Sequence, residues 1–260
     1  MEGDATKLGI VGLGSVGNAL YKVLRLYHED VRGYDVVPEK SKNSLSEVLE
    51  CDALFICLPT IGGKDGRLDT ASIIDNLNAL IQRNYKGLVI LKSTLPVGFF
   101  KNLPNYDLDL VFAPEFLHAR TAIEDLINPP FVIVSGKSAR KLEDILYWIP
   151  KDKFYIVSYD TAILTKLIMN SFAATKISFV NEIERICDSY NVNPITIMEF
   201  LRLEGRCAEP YSHPRRGAYR GTCLPKDTLE LVNSIPDSVL LRAVHELNER
   251  IKRLSGQSPS

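Results

Sequence analysis

The sequence predicts an α/β fold: a doubly wound parallel β-sheet over residues 1–157, followed by an all-helical part over residues 158–260. Three observations lead there. Short β-rich runs alternate with helical stretches through the first part, which is the pattern of a parallel sheet covered by helices. The Ala53–Leu58 run is almost continuously apolar, as a strand buried on both faces is. Beyond Asp160 the apolar spacing changes to that of helices and stays there.

The elements follow in order. Lys7–Val11 is the first strand, and Asn18–Tyr27 the first helix, with Leu20, Val23, Leu24 and Tyr27 at helical spacing. Val31–Asp35 and Ala53–Leu58 are the next strands. Leu88–Leu91, Leu110–Ala113 and Phe131–Val134 continue the series, and Phe154–Val157 adds an edge strand. Ala162–Tyr190 contains no Pro or Gly, and Ile163, Leu167, Phe172, Ile177, Val180, Ile183 and Ile186 recur along it, so it reads as one long helix. Ile195–Leu203 is a second helix. Arg206–Leu224, rich in Pro, Gly and Arg, is loop. Asp237–Leu254 is the last helix, before a polar tail, Ser255–Ser260.

Composition bounds the function. The 260 residues are 45% hydrophobic and 24% charged, an ordinary globular balance for one large domain or two smaller ones. A net charge of −1 speaks against nucleic acid or an anionic membrane surface as a partner recruited by bulk charge. No uninterrupted apolar run approaches the ~20 residues that a bilayer span needs. Met1-Glu2-Gly3-Asp4 lacks the basic start and apolar stretch of a signal peptide. The cysteines, Cys51, Cys57, Cys187, Cys207 and Cys223, are scattered and lack metal-ligand spacing. The expectation is a cytoplasmic protein with free thiols and no metal.

The cofactor signal is Gly12-Leu13-Gly14-Ser15-Val16-Gly17, which follows the first strand and opens the first helix. Such glycines allow a tight turn, close backbone approach to a pyrophosphate and close packing of helix on sheet; the helix start offers unpaired N–H groups to the phosphates. This is a Rossmann-type turn. Asp35 ends the second strand, where a carboxylate binds ribose hydroxyls and repels a 2′-phosphate, favouring NAD. Arg32 and Lys40 nearby keep NADP open.

Three further segments carry polar residues that a simple core does not need. Lys92-Ser93-Thr94-Leu95-Pro96-Val97-Gly98 and Ala113-Pro114-Glu115-Phe116-Leu117 lie at the carboxyl ends of strands, the rim where open α/β sheets bind ligands. Gly221-Thr222-Cys223-Leu224-Pro225-Lys226-Asp227 places a thiol, an ammonium and a carboxylate within five residues, and a neighbouring cation favours a nucleophilic thiolate. Lys166 and Asn170 project from one face of the long helix.

As a set and in this order, these segments resemble the nucleotide-sugar 6-dehydrogenases, the UDP-glucose/GDP-mannose dehydrogenase family. Ala174-Thr-Lys-Ile-Ser-Phe-Val-Asn181-Glu182 adds to the match, as do Pro59-Thr60, Asp65-Gly66-Arg-Leu-Asp69 and the late Leu241-to-Glu249 run that includes Asn248. The resemblance implies an NAD-binding domain over residues 1–157 and a central helical domain over 158–260 that forms a homodimer through its long helix. It also implies oxidation of a sugar C6 alcohol to the carboxylate, with two NAD reduced. Cys223 would form a thiohemiacetal and then a thioester. Lys166 would stabilise the oxyanion, Asn170 would bond the reacting oxygen, Asp227 would assist proton transfer, and Thr94 and Glu115 would hold the hydrolytic water. Pro59, Thr60 and Thr94 join Gly12, Gly14, Ser15, Val16, Gly17 and Asp35 at the cofactor. Glu115, Phe116, Leu117, Lys166, Asn170, Arg206, Arg220 and Gly221 would meet the substrate, Arg206 from across the dimer.

Three departures bear on that implication. The family's Gly-Phe-Gly-Gly-x-Cys reads Ala218-Tyr219-Arg220-Gly221-Thr222-Cys223, so two glycines and their positive-φ freedom are lost. The glutamate expected two residues after Leu117 is Ala119. The 260 residues are expected to cover only the family's first two domains and not its second α/β unit. One expectation is an altered or smaller substrate, a nucleotide sugar or a sugar phosphate, with Arg215, Arg216 and Arg220 as candidate phosphate ligands; another is that a separate chain supplies the third domain. The alternative is a non-catalytic, NAD-holding dimeric remnant or regulatory protein.

Overall fold

The computed structural model of the protein describes residues 6–63, 66–118, 120–214 and 216–255. By internal contacts the chain divides into two compact units, Met1–Thr60 with Asp69–Lys166, and Ile61–Leu68 with Leu167–Ser260.

The first unit is built on a five-stranded parallel sheet in the order β2-β1-β3-β4-β5. The strands are β1 (Leu8–Val11), β2 (Val31–Tyr34), β3 (Ala53–Ile56), β4 (Leu88–Leu91) and β5 (Asp109–Phe112). β1, β3 and β4 are buried at every position, which is why they read as continuous apolar runs. The connecting helices are α1 (Ser15–Tyr27), α2 (Leu45–Val48), α3 (Ala71–Gln82), α4 (Phe99–Asn102), α5 (Ala122–Ile127) and α6 (Ala139–Ile145). α1 buries Ala19, Leu20, Val23 and Leu24, the stripe seen in its sequence, in the main core. Because β1 is flanked by β2 on one side and β3 on the other, the order of connection reverses there. The carboxyl ends of β1 and β3 thus form the switch point at which such sheets bind ligands.

One expectation is corrected. The strand at residues 131–134 does not extend the main sheet. β6 (Val132–Val134) pairs in parallel with β7 (Phe154–Ile156) as a separate two-stranded sheet. Just beyond β6, Ser135 forms an antiparallel bridge with Phe112 of β5, the two exchanging backbone bonds of 2.9 and 2.8 Å. An apolar run shows that a strand is buried, not which strand it pairs with.

The second unit is helical: most of α7 (Tyr159–Ser189), then α8 (Pro194–Leu203), α9 (Leu224–Ser234) and α10 (Val239–Leu254). α9 is missing from the sequence reading. Its buried face includes Asp227, Thr228 and Glu230, polar residues that give no apolar period. Pro225 at its start marks a loop in sequence, yet fits the first turn of a helix, where no N–H partner is needed. Over an 18-residue window α7 has a mean hydropathy of 1.2, so by length and composition it meets the test for a bilayer span. A core helix passes the same test.

Candidate active site

In the first unit the glycine turn fits a dinucleotide. Gly12 has a φ of +91°, and a side chain there would strike the Cys57 carbonyl. A Cβ on Gly17 would overlap the Gly12 carbonyl, so helix and turn meet at a distance that only glycine allows. Around Gly14, by contrast, the space is open, and Gly14 and Ser15 are exposed. Gly14 caps α1 without a side-chain bond, so the first-turn N–H groups of Ser15, Val16 and Gly17 lack an internal cap. Asp35 follows β2. Its carboxylate accepts from the Leu13 N–H at 2.7 Å and the Val37 N–H at 2.9 Å, which fixes it beside the turn. These residues suit a bound pyrophosphate and ribose. When bound, NAD supplies a hydride acceptor.

The neighbouring strand ends carry the other first-unit candidates. Pro59 is exposed and Thr60 is buried beyond β3. Ser93 ties the end of β4 to that segment by donating to the Leu58 carbonyl at 2.7 Å, and Thr94 follows it, half-buried. Glu115, beyond β5, forms an ion pair with Lys92; their side chains are only 13% and 5% exposed. Both line a cavity of about 100 Å³ whose other walls include Phe55, Phe116, Leu117 and Phe131. The Lys166 ammonium lies 5.4 Å from the centre of the Phe116 ring, a cation–π contact. Lys92 opens a motif visible in the sequence, but its bond to Glu115 has no sequence signal. Ala119 lies outside the described residues, as do Asp65 and Arg215.

In the second unit the structure brings together Asn170, Lys226 and Asp227. The Asp227 side chain is 1% exposed; it accepts from Asn170 Nδ2 at 2.5 Å and from Lys226 Nζ at 2.6 Å. Cys223 is the exposed N-cap of α9, one turn ahead of Asp227, and its carbonyl accepts the Asp227 N–H at 3.0 Å. Its thiol has Thr222 Oγ1 at 3.7 Å. Arg220 and Gly221 are exposed just before it, and Gly221 has a φ of +86° with open space around it. Arg206 is set apart, its side chain 78% exposed and paired with Glu204 at 2.7 Å.

The altered loop is unstrained. Positive φ falls on Gly217 and Gly221, whereas Ala218, Tyr219 and Arg220 do not need it. The two replaced glycines are thus not at left-handed positions, and Tyr219 turns its side chain into the core formed by Ala174, Ile177 and Val244.

Sequence reasoning also missed Glu230. Fully buried on α9, it accepts from the Leu68 N–H at 2.7 Å, from Ser234 Oγ at 2.6 Å and from Arg67 at 3.4 Å. It thereby holds the segment that follows Thr60. A lone Glu inside an unrecognised helix carries no signal of this.

A glycine turn at the switch point of a doubly wound parallel sheet defines a dinucleotide-binding fold. Two family models match: the NAD binding domain of the UDP-glucose/GDP-mannose dehydrogenase family over residues 39–149, and its central domain over residues 160–250. The chain belongs to the UDP-glucose/GDP-mannose dehydrogenase family, and its cofactor is NAD. The glycine turn precedes the matched region, so its geometry is independent support. A UDP-glucose 6-dehydrogenase of Campylobacter jejuni is 35% identical over 200 residues, covering 73% of this chain and 50% of that one. An uncharacterized protein of Methanocaldococcus jannaschii is 30% identical over 228 residues, covering 80% of this chain and 25% of that one. The chain thus spans half or less of the length of these two relatives. The fold matches a UDP-glucose dehydrogenase structure from Pyrobaculum islandicum with a TM-score of 0.82 at 24% identity, over 97% of this chain and 69% of that one.

Proposed function

We propose that the protein oxidises the C6 alcohol of a nucleotide sugar or a sugar phosphate to the carboxylate, with Cys223 as nucleophile and NAD as hydride acceptor. The observation that carries this reading is the exposed thiol at the start of α9, one turn ahead of a buried carboxylate held between Asn170 and Lys226. A packed structural thiol needs no such arrangement.

In this reading loss of a hydride and a proton turns the alcohol into an aldehyde. The Cys223 thiolate adds to the aldehyde carbon to give a thiohemiacetal, and negative charge develops on oxygen. Lys166 supplies a cation and Asn170 a donor for that charge. A second hydride leaves and a thioester remains. Water held by Thr94 and Glu115 adds to the thioester, the C–S bond breaks, and acid and thiol are released; Asp227 assists the proton transfers. Phe116, Leu117, Arg220 and Gly221 line the sugar, and Pro59 and Thr60 the cofactor.

Residues 1–157 then act as the cofactor domain and 158–260 as a dimerising domain. Ile168, Phe172, Phe179 and Ile186 are exposed along α7 at heptad-like spacing, which supports a homodimer through that helix with Arg206 reaching the partner's substrate. All five cysteines are free, which supports a reducing, cytoplasmic setting.

The test is NADH formation at about 340 nm with a panel of nucleotide sugars and sugar phosphates. Two NADH per substrate, lost in Cys223→Ser while NAD still binds, is the expected result. Equal activity in Cys223→Ser would overturn the role of the thiol. NAD binding without turnover on any sugar would leave a cofactor-holding protein instead.

A further inference from the structure

We propose that Asn248 is a positioning residue for Cys223, acting through the backbone of Tyr219. The inference rests on reading Cys223 as the nucleophile. Residues 216–222, which lead to it, are neither helix nor strand, and among the described residues none of their backbone groups pairs with another backbone group. Yet Ala218 and Tyr219 are only 6% and 2% exposed. Backbone N–H and C=O groups buried there need partners.

Asn248 supplies both. Fully buried on α10, it accepts the Tyr219 N–H on Oδ1 at 2.7 Å and donates from Nδ2 to the Tyr219 carbonyl at 3.2 Å. Asn181 on α7 adds a second point, donating to the Gly217 carbonyl at 3.0 Å. An amide is the side chain that accepts and donates at once. Leucine would orphan both groups of Tyr219, and an ionised aspartate would orphan the carbonyl. Val244, one turn before Asn248, packs on the Tyr219 ring, so α10 holds this residue by side chain and backbone together.

The clamp lies between two left-handed glycines, Gly217 at +68° and Gly221 at +86°. These are the points about which the segment would otherwise swing. With Tyr219 fixed, only Arg220, Gly221 and Thr222 separate a rigid anchor from the thiol at the start of α9. A nucleophile displaced by about 1 Å from its line of attack loses on the order of 100-fold in rate. The role of the clamp is therefore to set where the sulfur stands, not to touch the sugar.

The experiment compares the full-length chain with Asn248→Asp, which keeps the shape and the 2.7 Å bond, and with Asn248→Ala. Hydrogen exchange across 216–222 is expected to rise about 30-fold in both variants, with α7 and α10 within about 2-fold of the parent. Iodoacetamide labelling of Cys223 at neutral pH is expected to slow about 10-fold. kcat is expected to fall about 10- to 100-fold with KM for NAD unchanged. If Asn248→Ala does not fold, Asn248→Asp decides. Unchanged exchange across 216–222 overturns the clamp. Faster exchange with labelling and kcat unchanged overturns its role in positioning. A parent protein that turns over no sugar defeats the proposed activity instead, and labelling still decides whether Asn248 controls the thiol.

Discussion

Asn170 donates its side-chain amide to the buried Asp227 across 2.5 Å, joining α7 to α9 beside the candidate nucleophile. A carboxylate cut off from water must be satisfied by the protein, and this one has Asn170 and Lys226. Asn170→Ala removes one of the two and is expected to cost about 1–3 kcal/mol of stability. Asn170→Asp, which faces one carboxylate with another, is expected to cost more. Urea denaturation midpoints measure both; a midpoint equal to that of the parent in Asn170→Asp would show that the link is not structural.

Two glycines of the same turn are expected to answer differently to alanine. Gly17→Ala drives a methyl into the Gly12 carbonyl and is expected to destabilise the fold. Gly14→Ala meets nothing within 4 Å, so melting stays close to that of the parent. NAD affinity is nonetheless expected to fall by roughly 10-fold or more, because the methyl stands where the pyrophosphate approaches the backbone. Calorimetric titration of NAD into Gly14→Ala, alongside a melt, separates the two effects.

Glu230→Ala leaves the Leu68 N–H without its acceptor and is expected to cost about 3 kcal/mol, as removing one member of a buried charged network does. Residues 61–68 should then become the first site of limited proteolysis. If cleavage still begins elsewhere, other contacts hold the segment.

His245 gives a dependence on pH. Burial pushes its pKa below the ordinary histidine value; Lys252 acts in the same direction, while Glu249 and Glu246 oppose it. The unfolded chain then takes up a proton at about pH 6.5, before the folded one does. This group's contribution is complete above that pH and is lost as pH falls toward the depressed folded value. Melting temperature should drop between neutral and mildly acidic pH, and His245→Gln should flatten that part of the curve. An unchanged slope in the variant would assign the drop to other groups.

The sheet and the glycine turn were legible because their physics is local. A strand buried on both faces must be apolar throughout, and Gly12 and Gly17 are required by backbone geometry within one turn. The set from Ser93 to Asp227 was legible as an order of short motifs. What stayed hidden depends on partners distant in sequence. The pairing of β6 with β7 is one case. α9 is another, because its buried face is polar: Asp227 and Glu230 read as surface residues until Asn170 and Leu68 are seen beside them. The backbone of the loop before Cys223 is likewise visible only in the structure. Sequence shows where a glycine is absent, whereas φ shows that Ala218 and Arg220 stand where none is needed.

The grip of Glu230 on Leu68 also bears on how such a protein is divided and recombined. The chain leaves the first unit after Thr60, returns at Asp69, and leaves again after Lys166. Neither unit is one stretch of gene. A fragment ending at Lys166 would carry Ile61–Leu68 without the carboxylate that receives it. A cut made to isolate the helical unit would have to keep Ile61–Leu68 with Glu230. Residues 61–68 thus go with the helical unit, although in the gene they lie inside the stretch that encodes the sheet.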